Sequence, residues 1–141
     1  MAPDGVAGTL IDSNVLLDIL TDDPRWADWS AGALADAAEA GPIFINPIIY
    51  SEVSVRFTTV EALDAALPSR DYRREPIPWA AAFLAGKVFV EYRRNRGTKA
   101  TTLPDFFIGA HAAVAGMDLL TRDTGRYRTY FPTVRVIAPD S

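Results

Sequence analysis

Four carboxylates are placed where they could act together. Asp12 ends the apolar run Leu10-Ile11, Glu52 lies among the apolar residues that follow Asn46-Pro47, Asp105 follows Pro104, and Asp123 closes the run Leu119-Leu120-Thr121. Four acids aimed at one crevice repel, each pair by roughly 4 kcal/mol at ~4 Å and an effective dielectric of 20. Either they take up protons or they hold a cation. The chain has no cysteine and one histidine, so the donor set is oxygen alone. That set selects a hard metal, Mg²⁺ or Mn²⁺; sites with few carboxylates suit Mg²⁺, which keeps waters and binds phosphate oxygens. Such an ion can lower the pKa of a bound water and offset charge on a leaving oxygen, the chemistry of phosphodiester hydrolysis. Ser13, Asn14 and Thr121 flank the acids and are suited to hold them or a bound water by hydrogen bonds.

Each acid also has a plainer explanation. Asp12 could be a surface residue before a helix cap, Glu52 could pair with Arg56 one turn on, and Asp105 could favour the dipole of the helix it opens. His111, the only histidine, falls six residues after Asp105 and reads as a partly exposed structural residue. A lone histidine makes no zinc site.

The elements that must position these residues follow from local signals. Thr9 to Ile11 suits a buried strand, and Ser13 is an N-cap candidate for the helix Val15 to Leu20. Asp23-Pro24 opens a second helix, with Trp26, Trp29, Ala33, Leu34 and Ala37 at helical spacing and Gly41 as its stop. Ile43 to Ile45 is a second strand, and Asn46-Pro47 caps a helix to about Phe57 with Ile48, Ile49, Val53 and Phe57 toward the core. Thr59 caps a shorter helix ending near Leu67, and residues 68 to 78 read as an arginine-rich connection bounded by prolines. Trp79 to about Arg96 is a long helix, apolar along Phe83 and Val90, and Gly97 to Leu103 is a loop. From Asp105, the residues Ile108, Gly109, Ala112 and Gly116 share one nearly bare face that suits close packing on a sheet. Met117 to Thr121 is a third strand, Arg126 to Phe131 a short basic aromatic segment, and Val134 to Ile137 a closing strand. Strands alternating with helices predict a parallel sheet with right-handed crossovers.

At 141 residues, 49% of them hydrophobic, the chain is expected to form one domain over 1–141. It shows no signal peptide and no apolar run long enough for a bilayer, so a soluble, cytoplasmic protein without membrane contact is expected. The net charge of −4 excludes a simple basic nucleic-acid coat, yet residues 1–66 carry −9 and residues 67–141 carry +5. Arg93, Arg94, Arg96, Lys99 and Arg122 are candidates for gripping a phosphate backbone. For the first three, the helix dipole is an equally good explanation.

Taken in order, Ile11-Asp12-Ser13-Asn14-Val15-Leu16, Pro47-Ile48-Ile49-Tyr50-Ser51-Glu52-Val53, Pro104-Asp105-Phe106-Phe107-Ile108-Gly109-Ala110-His111-Ala112 and Leu120-Thr121-Arg122-Asp123 resemble the motifs of PIN-domain ribonucleases. The likeness is greatest to VapC toxins of toxin–antitoxin pairs, and it spans Thr9 to Pro139. It implies an α/β fold, a three-layer α/β/α sandwich around a mainly parallel twisted sheet. It also implies Mg²⁺-dependent endoribonuclease activity on structured RNA (tRNA, rRNA or mRNA), a homodimer, and a VapB-type antitoxin whose tail blocks the acidic groove. Asp12, Glu52, Asp105 and Asp123 then serve as catalytic and metal-binding acids, with Asn14 and Thr121 as polar support. Phe106-Phe107 stands where such proteins often have smaller residues, a change that bears on groove shape or a dimer contact. A PIN-like module that binds RNA or protein without cutting is the alternative. A phosphatase acting through an aspartyl-phosphate is disfavoured, since those resemble Asp-x-Asp at the first strand and Asn14 occupies the second acidic position.

Overall fold

The computed structural model describes residues 7–96, 103–123 and 125–139. The expected loop after Arg96, with Lys99 in it, falls largely outside them, as does the Arg96 side chain. Five strands, β1 (Thr9–Ile11), β2 (Ile43–Ile45), β3 (Tyr72–Arg74), β4 (Asp118–Leu120) and β5 (Val136–Ile137), form one parallel sheet in the order β3-β2-β1-β4-β5. Seven helices appear among the described residues: α1 (Ser13–Leu20), α2 (Ala27–Ala40), α3 (Pro47–Ser54), α4 (Val60–Ala66), α5 (Trp79–Arg96), α6 (Leu103–Ala115) and α7 (Arg126–Tyr130). Every residue of β1, β2 and β4 is buried. Successive strand residues point to opposite faces, so both faces of the sheet are covered, as an α/β/α sandwich requires.

The register places the site. Leu10 pairs with Leu119 and Ile11 with Leu120, so Asp12 and Thr121 emerge side by side at the carboxyl edge. From β1 the chain moves to β2 on one side, and from β4 to β5 on the other. That divergence is the switch point at which open parallel sheets form crevices.

Local chemistry explains most boundaries, with several differences from expectation. The first helix starts at Ser13 because Asp12 itself is the cap: its carboxylate accepts the Ser13 N–H at 2.7 Å, which leaves the Ser13 hydroxyl free. Asp23 accepts from the N–H groups of Arg25 and Trp26 and holds a turn, and α2 begins only at Ala27. Residues 72–74, expected to be part of a connection, form β3 beside β2. An edge strand bonds along one side alone, so it tolerates the exposed Arg73 and Arg74. On α5 the core face is Ala81, Ala85 and Tyr92, whereas Phe83 and Val90 are 69% and 53% exposed.

The small face of α6 is partly as expected. Ile108, Gly109 and Ala112 are buried, but Gly116 lies beyond the helix at φ +68, where the Met117 N–H bonds back to the Ala112 carbonyl. This is the left-handed stop that glycine favours. Gly109 faces Phe131 rather than the sheet: a Cβ there would stand 2.3 Å from the Phe131 ring. Phe106 is wholly buried among Phe89, Tyr92, Tyr130 and Phe131, with ring centroids 5.3 to 6.3 Å away, and so builds the core.

Gly109→Ala tests this packing. Because the buried Phe131 ring has nowhere to go, overpacking is expected to lower stability by about 1–3 kcal/mol, measured as a lower urea midpoint. A gain of about 1 kcal/mol, the helix-propensity effect alone, would contradict the contact.

Candidate metal-binding site of four carboxylates

Asp12 is 4% exposed and its carboxylate is densely bonded. Oδ1 accepts the Ser13 N–H, and Oδ2 accepts the hydroxyls of Thr121 at 2.8 Å and Tyr127 at 3.3 Å, with Asn14 Nδ2 at 3.5 Å. Burial nevertheless prevails over these bonds. Aided by the charges of Glu52 and Asp105, it pushes the Asp12 pKa up to about 6. Glu52, half-buried on α3, accepts the Ser13 hydroxyl at 2.8 Å rather than pairing with Arg56. Burial, and then Asp105, raises its pKa as well. Ser13 thus ties Asp12 to Glu52.

The other two acids are tied by a cation. Arg126 lies between them, its Nη2 bonded to Asp123 Oδ2 and its Nη1 3.7 Å from Asp105 Oδ2. Burial works against its charge, but Asp123 and Asp105 outweigh it and hold the guanidinium pKa above its usual value. Asp123 Oδ1 also accepts the N–H groups of Gly125 and Arg126, fixing the start of α7.

Polar support comes from the expected residues. Asn14 donates to Thr121 Oγ1 at 3.3 Å and accepts the Arg122 N–H at 3.1 Å, while Thr121 Oγ1 accepts the Asp123 N–H at 3.0 Å. The loop after β4 is therefore tied to α1 through Asn14. Arg122, grouped above with phosphate-binding residues, turns to the buried Asp18 instead. Its Nε and Nη2 donate to the two carboxylate oxygens at 2.6 and 2.9 Å, Ser30 adds a third bond, and the guanidinium lies over Trp26. Arg93 and Arg94 are exposed near the end of α5, with Arg93 5.7 Å from the Phe89 ring centroid.

His111 is buried, not partly exposed. The Asn46 amide oxygen takes the Ile49 N–H, so its nitrogen faces His111 Nδ1 at 3.0 Å. Nδ1 therefore accepts, the proton resides on Nε2, and burial holds the imidazole pKa below its usual value. The residue links the N-cap of α3 to α6 and has no part in the acid cluster.

Tyr127 and Arg126 are the site residues that sequence reasoning missed. Their position three and four residues after Asp123, at the start of a short aromatic helix, was the available signal. The all-oxygen donors and the raised pKa values of Asp12 and Glu52 fit a hard cation. Among the described residues, however, no three acids stand close enough together to cage one as placed.

The chain matches the family described as PIN domain over residues 9–132. It is similar in structure to VapBC2 from Rickettsia felis bound to a promoter DNA fragment, at 16% identity and a TM-score of 0.70, over 92% of this chain and 97% of that one. It is also similar to FitAcB from Neisseria gonorrhoeae, at 20% and 0.64 over 93% and 97%. A toxin–antitoxin complex from Klebsiella pneumoniae gives 24% and 0.61 over 94% and 98%. At these identities the likeness to solved structures speaks for the fold. No curated protein sequence matches the chain, and no helix among the described residues is long and apolar enough to cross a membrane.

The Asp12 pKa carries a sign that can be checked. It is about 6 in the fold against 3.8 ordinarily, so the native state binds this proton more tightly than the unfolded chain. Metal-free stability should therefore fall as pH rises from about 4 to 6, by about 3 kcal/mol from this group. Urea unfolding in EDTA across that range should show this fall in the wild type and a shallower one in Asp12→Asn; equal slopes would contradict the burial argument.

Proposed function

Because the chain belongs to the PIN-domain family, we propose that it is a Mg²⁺-dependent endoribonuclease, Mn²⁺ serving as substitute, and the toxin of a toxin–antitoxin pair. The observation that carries this reading is the buried Asp12 carboxyl, raised to about 6 beside Glu52 and Asp105. A fold that needed only a strand end would have no use for such like charges held together, whereas a cation relieves their repulsion. Asp12, Glu52, Asp105 and Asp123 would hold the metal, which when bound supplies a more acidic water and charge compensation at the leaving oxygen.

The chain's own residues divide the remaining work. Thr121, Tyr127 and Asn14 hold the Asp12 carboxylate in one orientation. Glu52, less buried and raised in pKa, is suited to accept a proton from an attacking water. Arg93 and Arg94 offer exposed charge to the backbone of a structured RNA. A VapB-type antitoxin partner is supported by the similar structures, which include VapBC2 and a toxin–antitoxin complex; a homodimer is what the resemblance of the motifs implies.

One observation favours the alternative of a module that binds without cutting: Arg126 already bridges two of the four acids. Cleavage assays on structured RNA separate the two readings. The wild type should cut in Mg²⁺ and stop in EDTA, Glu52→Gln should lose about 10²–10⁴-fold in rate, and Asp12→Asn should be inactive while folded. Full activity in Asp12→Asn would overturn the nuclease reading, and tight RNA binding with no cleavage by the wild type would favour the module.

A further inference from the structure

The four acids stand as two bridged pairs, and the bridges differ in charge. Asp12 and Glu52 share Ser13, a neutral residue that donates its N–H to one and its hydroxyl to the other. Asp105 and Asp123 share Arg126, a cation. The first pair keeps both negative charges uncompensated, whereas the second is already half neutralised.

Arg126 is held there by its own helix. Its neighbour Tyr127 is 1% exposed, with its hydroxyl on Asp12. At the other end of α7, the Tyr130 ring lies 5.5 Å from Tyr92 and 5.7 Å from Phe106. Phe131 fills the space left by the missing side chain of Gly109. Moving the α7 backbone away from the acids would mean withdrawing the buried Tyr127 and Phe131 rings and the partly buried Tyr130, so Arg126 must leave, if at all, by swinging its side chain alone. Its fork reaches both carboxylates at once, which a lysine ammonium on a flexible stem matches poorly.

We propose that Arg126 is the protein's own occupant of the Asp105–Asp123 half of the site, restricting the chain to one divalent ion held from the Asp12–Glu52 side. This rests on the metal-dependent reading above and narrows it: of the four acids, Asp12 and Glu52 would hold the resident ion, and Asp105 and Asp123 would take a second only where Arg126 is absent. In this arrangement the stoichiometry of metal binding is set by a residue that is not itself a ligand. A second ion competes with a guanidinium rather than entering an open pair of carboxylates.

Titration of the full-length chain with Mn²⁺ at pH 7.5, followed by calorimetry and by the electron paramagnetic resonance signal of free Mn²⁺, tests the inference without any assay of cleavage. The wild type should bind one Mn²⁺ and Arg126→Gln two, with circular dichroism spectra alike. One ion bound with wild-type affinity by folded Arg126→Gln, or two by the wild type, overturns the inference and leaves the nuclease reading standing. No Mn²⁺ bound by the wild type overturns both. If Arg126→Gln fails to fold, Arg126→Lys decides: its weaker bridge should let a second Mn²⁺ bind about tenfold more tightly than any second ion binds the wild type, and second-ion binding no tighter than in the wild type overturns the inference.

Discussion

A carboxyl group buried at the carboxyl edge of a parallel sheet is the constraint that the surrounding structure accommodates. Ionised Asp12 has lost most of its water, and a charge taken out of water must be matched by hydrogen bonds or by an opposite charge. The protein supplies the bonds fully and the charge only in part. A backbone N–H, two hydroxyls and an amide converge on the carboxylate, yet burial still raises its pKa, and the nearest charges are negative. Stability is thereby given up at Asp12, a cost that the proposed cation would relieve.

The supporting elements make sense in these terms. Asp12 caps α1, which releases the Ser13 hydroxyl for Glu52. Asn14 and Thr121 tie the β4 loop to α1. Farther out, the buried Asp18 fixes Arg122 from the same helix, so the loop carrying Thr121 and Asp123 is held at both its backbone and its side chains. On the other side, the bare surface of α6 at Gly109 admits Phe131 and anchors α7, which returns Tyr127 and Arg126 to the acids. Core packing and site geometry are two aspects of one arrangement. Gly109, one turn after Asp105, is joined through Phe131 to the helix that carries Arg126 and Tyr127.

Much of this was legible in the sequence because its signals are local. A strand that ends in Asp, an Asn-Pro helix start and a Thr cap each act within a few residues, and the helices capped by Asn46 and Thr59 start where their sequences indicate. Less legible were features decided by distant partners. The Tyr72–Arg74 strand exists because β2 offers an open edge, not because its residues prefer extension. Phe83 and Val90 belong to an exposed face since α5 turns Ala81, Ala85 and Tyr92 to the core, Tyr92 against Phe106 of α6. His111 is buried by Asn46, 65 residues away in the chain. Arg122 looked like a phosphate contact because Asp18, its partner, lies 104 residues earlier. The Asp105–Asp123 bridge depends on Arg126, for which a position three residues after Asp123 was the one local signal.

The central claim, that the Asp12 charge is left for a divalent cation, is tested most directly by the melting temperature of the full-length chain at pH 7.5 as Mg²⁺ is added after EDTA treatment. Binding to the native state alone adds about 2.7 kcal/mol when the ion is at a hundred times its dissociation constant. The wild type should therefore melt at a rising temperature that saturates with Mg²⁺, while folded Asp12→Asn should not. A wild-type melting temperature unmoved by Mg²⁺, or one that rises equally in Asp12→Asn, would contradict the account.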